Sequence, residues 1–134
     1  MNEEEILIAQ QVKENLFEAC RSLGKAILDS EENKRFIEAR ERFRQDEEAK
    51  SILRDYNTAL NEYQKKAQWG GASNEEYKIV EEKNSSLYKN KILNDYFSSQ
   101  QALIDLCKEI NEYASEKLKF NFASLAKPQS SCCS

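Results

Sequence analysis

The stretch from Asp46 to Glu76, DEEAKSILRDYNTALNEYQKKAQWGGASNEE, does more than any other to limit what this chain can become. Ala49, Leu53, Tyr56, Leu60, Tyr63 and Ala67 recur at alternating steps of four and three, the spacing of a heptad seam along one helix face. Gly70 and Gly71 close the run, supplying the left-handed C-cap that residues with a Cβ resist. Ser73 and Glu76 then stand in the S-x-x-E spacing of a capping box. A seamed helix, a two-glycine stop and an immediate restart predict a helical hairpin.

The rest of the chain is written in the same style. Asn2 to Leu28 opens with Glu3, Glu4 and Glu5, whose charges complement a helix dipole. Leu16, Cys20, Leu23 and Ile27 then form an apolar stripe. Asp29 or Ser30 is expected to cap a second helix, with Glu32 closing a box on Asp29. That helix turns Phe36, Ala39 and Phe43 to one side, and Asp46 caps the seamed helix. Past the hairpin, Tyr77, Val80 and Leu87 carry the stripe to a break at Asn90 or Asn94. Leu93, Tyr96, Gln100, Leu103, Cys107, Ile110 and Ala114 continue it. Cys20 and Cys107 lie within stripes and are expected to be buried as small hydrophobes.

With 3 Gly and 1 Pro in 134 residues there is little material for the tight turns of a sheet protein. The expected fold is all-α: long antiparallel helical hairpins forming an oligomeric bundle. One domain should cover residues 1–120, with a flexible cysteine-containing tail over 121–134. Oligomerisation, as a dimer or higher, is expected because a thin hairpin has too little core of its own. Tyr63, Trp69, Tyr77 and Tyr113 offer interface aromatics.

Several function classes are disfavoured. The chain has no His, which removes the commonest general base and the His-containing zinc sites. Neither a GxxxxGK[ST] nor a GxGxxG run occurs. The net charge of −4 argues against direct nucleic-acid binding, since counterion release from phosphate requires a basic excess. No apolar run approaches a membrane span and the N-terminus is acidic, so a cytoplasmic, non-enzymatic protein is expected.

Two features remain as candidate sites. The first is KRFIEARERFR, where Arg35 and Arg42 share one face and Arg40 and Arg44 share the flank beside Phe36 and Phe43. Lys34–Glu38 and Glu38–Arg42 are spaced for ordinary i,i+4 pairs. Arg40 borders the apolar side, where a guanidinium calls for a carboxylate across an interface. These four arginines are the candidate partner-binding residues. The second feature is the terminal KPQSSCCS, whose adjacent cysteines admit metal ligation, redox chemistry, lipidation or no role.

The segment from Leu23 to Leu53 resembles the YlbF/YmcA family of small helical bacterial proteins. The resemblance rests on Leu23, Gly24, Ala26 and Ile27, then Ser30 and Glu31, Ala39, and Asp46, Glu48 and Ala49, with matching element order over about residues 6 to 118. Glu47 stands where many relatives have Pro. The resemblance implies a helical oligomer without catalytic activity, regulating competence, biofilm formation and sporulation. It implies YlbF/YmcA/YaaT-type relatives as partners, in a complex assisting RNase Y in mRNA maturation. It also implies Cys132 and Cys133 as iron–sulfur ligands. A four-iron cluster needs four thiolates, so it would be shared between two tails or with a partner. The competing expectation is a chaperone-like or structural helical-hairpin oligomer.

Overall fold

The computed structural model describes residues 1–128. It consists of six helices: α1 (Glu3–Leu28), α2 (Glu31–Gln45), α3 (Glu47–Gln68), α4 (Asn74–Lys89), α5 (Lys91–Leu118) and α6 (Phe122–Ala126). Among the described residues there is no strand.

Two single-residue elbows organise the body. Asp46 ends α2 and begins α3, holding an extended backbone (φ −98°, ψ 108°) while its side chain accepts the Ala49 N–H at 2.7 Å. Asn90 does the same between α4 and α5, accepting the Leu93 N–H at 3.0 Å. Each short polar side chain satisfies one of the new helix's orphan donors, so the chain bends without a loop. The result is two bent rods, α2–α3 and α4–α5, laid against each other, with α3 on α4 and α2 on α5.

The core sits where the elbows meet. Ala49 and Leu93 are fully buried and Leu87 nearly so, ringed by Phe43, Ile52, Leu53, Tyr56, Ile92 and Phe97. Further along the α2–α5 contact, Phe36 and Phe43 stack on Tyr96 at centroid distances of 5.8 and 5.0 Å. Ala39 is buried between them, as its place in the stripe predicts. Because Asp46 closes α2 and opens α3 at once, Asp46→Ala should lower unfolding free energy by about 1 kcal/mol, the usual cost of a lost N-cap. Asp46→Asn should restore most of it, a comparison that urea midpoints can make.

The hairpin tip follows its sequence signals closely. Gly70 has φ +71°, its N–H donates to the Ala67 carbonyl, and the Gly71 N–H donates to the Lys66 carbonyl, the paired bonds of a Schellman cap. Ser73 Oγ accepts the Glu76 N–H at 3.2 Å. The Glu76 carboxylate does not complete the expected box. It pairs with Lys66 Nζ at 3.0 Å, tying α4 back to α3.

The α1–α2 junction differs from expectation in a related way. Ser30 is the N-cap of α2, and Asp29 ends α1. Asn33, rather than Glu32, completes the turn: its backbone N–H donates to Ser30 Oγ and its amide donates to the Leu28 carbonyl. Lys34 pairs with Glu31 at 3.3 Å instead of with Glu38. Past Leu118, where the apolar period fades, Lys119 takes a left-handed conformation (φ 64°) and α6 folds back on α5.

Candidate protein-interaction surfaces

Three surfaces stand out, and the first is the arginine face of α2. Arg35 and Arg42 line one polar groove with Glu38, Ala39, Asp95 and Ser99. The Arg42 guanidinium lies 3.6 Å from Glu38 Oε2 and 3.8 Å from Asp95 Oδ2, joining α2 to α5. Arg40 has its guanidinium carbon 5.6 Å from the Phe36 ring centroid, within cation–π reach of that ring. Arg44 stands in the last turn of α2, where a cation complements the dipole. All four arginines are exposed.

The second surface is α1. This 26-residue helix touches α2 alone and buries none of its residues. Ile8, Val12, Leu16, Cys20, Leu23 and Ile27 fall within an arc of about 120° at 100° per residue. Val12, Leu16 and Leu23 are 53, 61 and 46% exposed. The expectation that Cys20 is buried is therefore overturned: its stripe is half-covered only at Ile27, beside α2, and the thiol is exposed. The opposite side carries Glu14, Glu18, Arg21 and Lys25, with Glu18 and Arg21 paired at 2.6 Å. At its C-terminal end, the Lys25 ammonium at 2.6 Å holds the Asp29 carboxyl below the usual carboxylate range, and is itself raised by that contact.

The third surface is the distal half of α5. Asn111 Oδ1 accepts the Ala123 N–H at 3.0 Å, and Ser115 Oγ accepts the Phe122 N–H at 3.1 Å. These bonds hold α6 beside α5, and the two form an apolar groove of about 480 Å³ lined by Leu103, Ile104, Cys107 and Ala123, with Lys108 and Glu112 also at its wall. Cys107 is exposed here, correcting the second buried-cysteine expectation. The contacts of α5 with α2 centre on Asp95, Tyr96 and Ser99, about two to three turns before Cys107. The groove escaped sequence reasoning, although two polar residues four apart on an apolar seam, facing an Asn121 N-cap, were the available signal.

Of the four candidate aromatics, Tyr63 and Tyr77 meet across the hairpin at 5.7 Å, whereas Trp69 is 89% exposed and Tyr113 66%. Cys132 and Cys133 lie outside the described residues. Among the described residues, no three His, Cys, Asp or Glu side chains converge on a metal position, and no helix is long and apolar enough to cross a membrane.

A bent helical hairpin with amphipathic surfaces left open on its outer helices defines an all-α module suited to association with other chains. The chain belongs to the YlbF/YmcA family: the family model described as control of competence regulator ComK, YlbF/YmcA, matches residues 16–119. Among solved structures it is similar to that of Bacillus subtilis RicA in complex with RicF, at 21% identity and a TM-score of 0.66. That match covers 84% of this chain and 97% of the other. None of the curated proteins matches the chain significantly.

Proposed function

We propose that this protein is a non-enzymatic cytoplasmic regulatory adaptor that works by binding other helical proteins, its own relatives among them. The observation that carries the reading is α1, a long amphipathic helix whose apolar face is left open by its own chain except at Ile27, beside α2. Family membership supports the regulatory role, since the family is described by control of a competence regulator. The solved complex of RicA with RicF supports action through association with another protein. The processes served would be competence, biofilm formation and sporulation, through assistance to RNase Y-dependent mRNA maturation.

In this reading Arg35, Arg40, Arg42 and Arg44 select the partner by charge-assisted hydrogen bonds to its carboxylates. Cys132 and Cys133 supply two thiolates of an iron–sulfur cluster, and a second tail or a partner supplies the others. The described cysteines do not complete that set, since Cys20 and Cys107 sit on helices that make no contact with each other.

Titration of the full chain with purified YlbF-, YmcA- and YaaT-type proteins tests the adaptor role. Saturable one-site binding, weakened about tenfold or more by Arg42→Glu, is the expected result, because removing one charged partner of a desolvated pair typically costs that much. Unselective capture of unfolded chains with no saturable relative would instead favour the chaperone-like reading, to which the exposed apolar surface of α1 also lends itself. Iron and sulfide in anaerobically purified protein, lost in Cys132→Ser/Cys133→Ser, would assign the cluster. Protein free of iron even with its partners bound would remove it.

A further inference from the structure

We infer that α1 of one copy of this chain docks in the α5–α6 groove of a second copy, each copy giving its helix and receiving the other's. The inference deepens the adaptor reading by assigning the interface between identical chains.

Surface area makes the first argument. The chain exposes 10958 Å², against roughly 7,200 Å² for a compact folded monomer of its mass. Granting residues 129–134 the full surface of an unfolded chain, about 900 Å², leaves an excess of about 2,800 Å². If elongation took half of that, the remainder would still exceed the ~800 Å² each partner contributes to a standard interface. The excess is concentrated on outer elements, since every residue of α1 lies at least partly open and Ile104 on distal α5 is 42% exposed.

Geometry supplies the second. The chain carries both halves of a contact it does not make: α1 touches neither α5 nor α6. The C-terminal end of α1 and the distal half of α5 lie at the same end of the molecule, away from the Gly70 tip, because α1 feeds the start of α2, α2 packs on α5, and α6 follows the end of α5. A two-fold axis at that end brings each α1 to the other copy's groove at once, closing an isologous dimer. Apolar meets apolar along the contact, Leu16 and Leu23 against Leu103 and Ile104, while the charged side of α1, with Glu14, Glu18, Arg21 and Lys25, stays turned to solvent. The two free thiols fit the same scheme. Cys20 lies on the apolar face of α1 and Cys107 in the groove, each a small hydrophobe placed where a partner would cover it.

The test is the oligomeric state of the full chain by analytical ultracentrifugation. Wild type should be a dimer at micromolar concentration. Leu16→Glu/Leu23→Glu in α1 and Ile104→Glu in the groove should each raise the dissociation constant roughly a hundredfold or more, as loss of a central apolar anchor does. Both variants alter exposed positions, so far-UV helicity and the melting of the core serve as folding controls. Mixing the two variants should restore association in part, because the mixed dimer keeps one of the two contacts, the intact helix of the groove variant in the intact groove of the helix variant. Thiol labelling gives a second readout: Cys20 and Cys107 should react slowly with a maleimide in the dimer and fast in either variant.

A monomeric wild type would overturn the inference. So would a groove variant that stays dimeric while the α1 variant dissociates, which would mean that α1 pairs with α1. A mixture that associates no more tightly than either variant alone would overturn it as well. A monomer that still binds a relative saturably would sink this docking and leave the adaptor reading intact. A dimer that binds no relative would do the reverse.

Discussion

Leu93→Ala should destabilise the protein by about 3–5 kcal/mol, seen as a large fall in urea midpoint and a melting temperature lower by roughly 10 °C or more. Leu93 is the largest side chain with no exposure at all, and it fills the space between Ala49 on α3 and Leu87 on α4. Truncation removes the transfer free energy of the lost methyl groups and leaves a cavity that the elbows cannot easily collapse, since Asp46 and Asn90 fix both bends by capping bonds. A domain of this size has about 5–15 kcal/mol of stability in all, so the variant should sit near the folding threshold. Leu93→Met keeps the volume and should lose less than about 1.5 kcal/mol. Equal losses in the two variants would show that the elbow is not close-packed.

The second large effect belongs to Tyr96. Its ring meets Phe36 and Phe43 of α2 at 5.8 and 5.0 Å, two aromatic contacts that join α2 to α5, and it packs on its neighbour Phe97 within α5 at 5.3 Å. Tyr96→Ala should lose about 3 kcal/mol, combining buried area with the extra attraction of offset and tilted rings. Its readout differs from that of Leu93, because the rest of α2 is held by Phe43 at the edge of the core, Ala39, the buried Asn33, Ser99 facing it and the Arg42–Asp95 pair. Amide exchange should therefore speed up first along α2, well before the α3–α4 hairpin opens. Tyr96→Phe keeps the ring and should stay within about 0.5 kcal/mol of wild type. Leu93 and Tyr96 lie one turn apart, so a double variant should lose a different amount from the sum of the singles.

Much of this architecture was legible in local sequence. The seam from Ala49 to Tyr63, the Gly70–Gly71 stop, the Asp46 cap and the break at Asn90 all depend on interactions within four or five residues. Such signals survive without knowledge of the fold. Partner choice among polar side chains was less legible even locally. Glu76 was spaced for a box with Ser73, yet its carboxylate reaches Lys66 because the hairpin brings a lysine ammonium within 3.0 Å. Asn33 stands where Glu32 was expected because Ser30, not Asp29, is the cap, which moves the third helical position on by one; its amide also donates to the Leu28 carbonyl, which a carboxylate cannot do.

Burial was the point at which periodicity misled. A stripe records that a face is apolar, and it is silent on what the face meets. The stripe through Leu87 and the stripe through Cys20 look alike on paper, but the first closes on Ala49 and Leu93 while the second faces outward along α1. The candidate arginines divide similarly. Arg35 and Arg42 were placed on one face by their spacing, and they line one groove. That Arg42 answers Asp95, more than fifty residues away, and that Arg40 lies against Phe36 depend on how α2 settles against α5 and on side-chain rotamers.

By itself, then, the sequence determined the helices, their caps and the places where the chain bends, because each is decided by backbone propensity and bonds between near neighbours. Tertiary structure alone decided which apolar faces close on each other, which stay open, and that α6 returns to make a groove on α5. Those outcomes follow from distances between residues far apart in the chain, which no local pattern encodes.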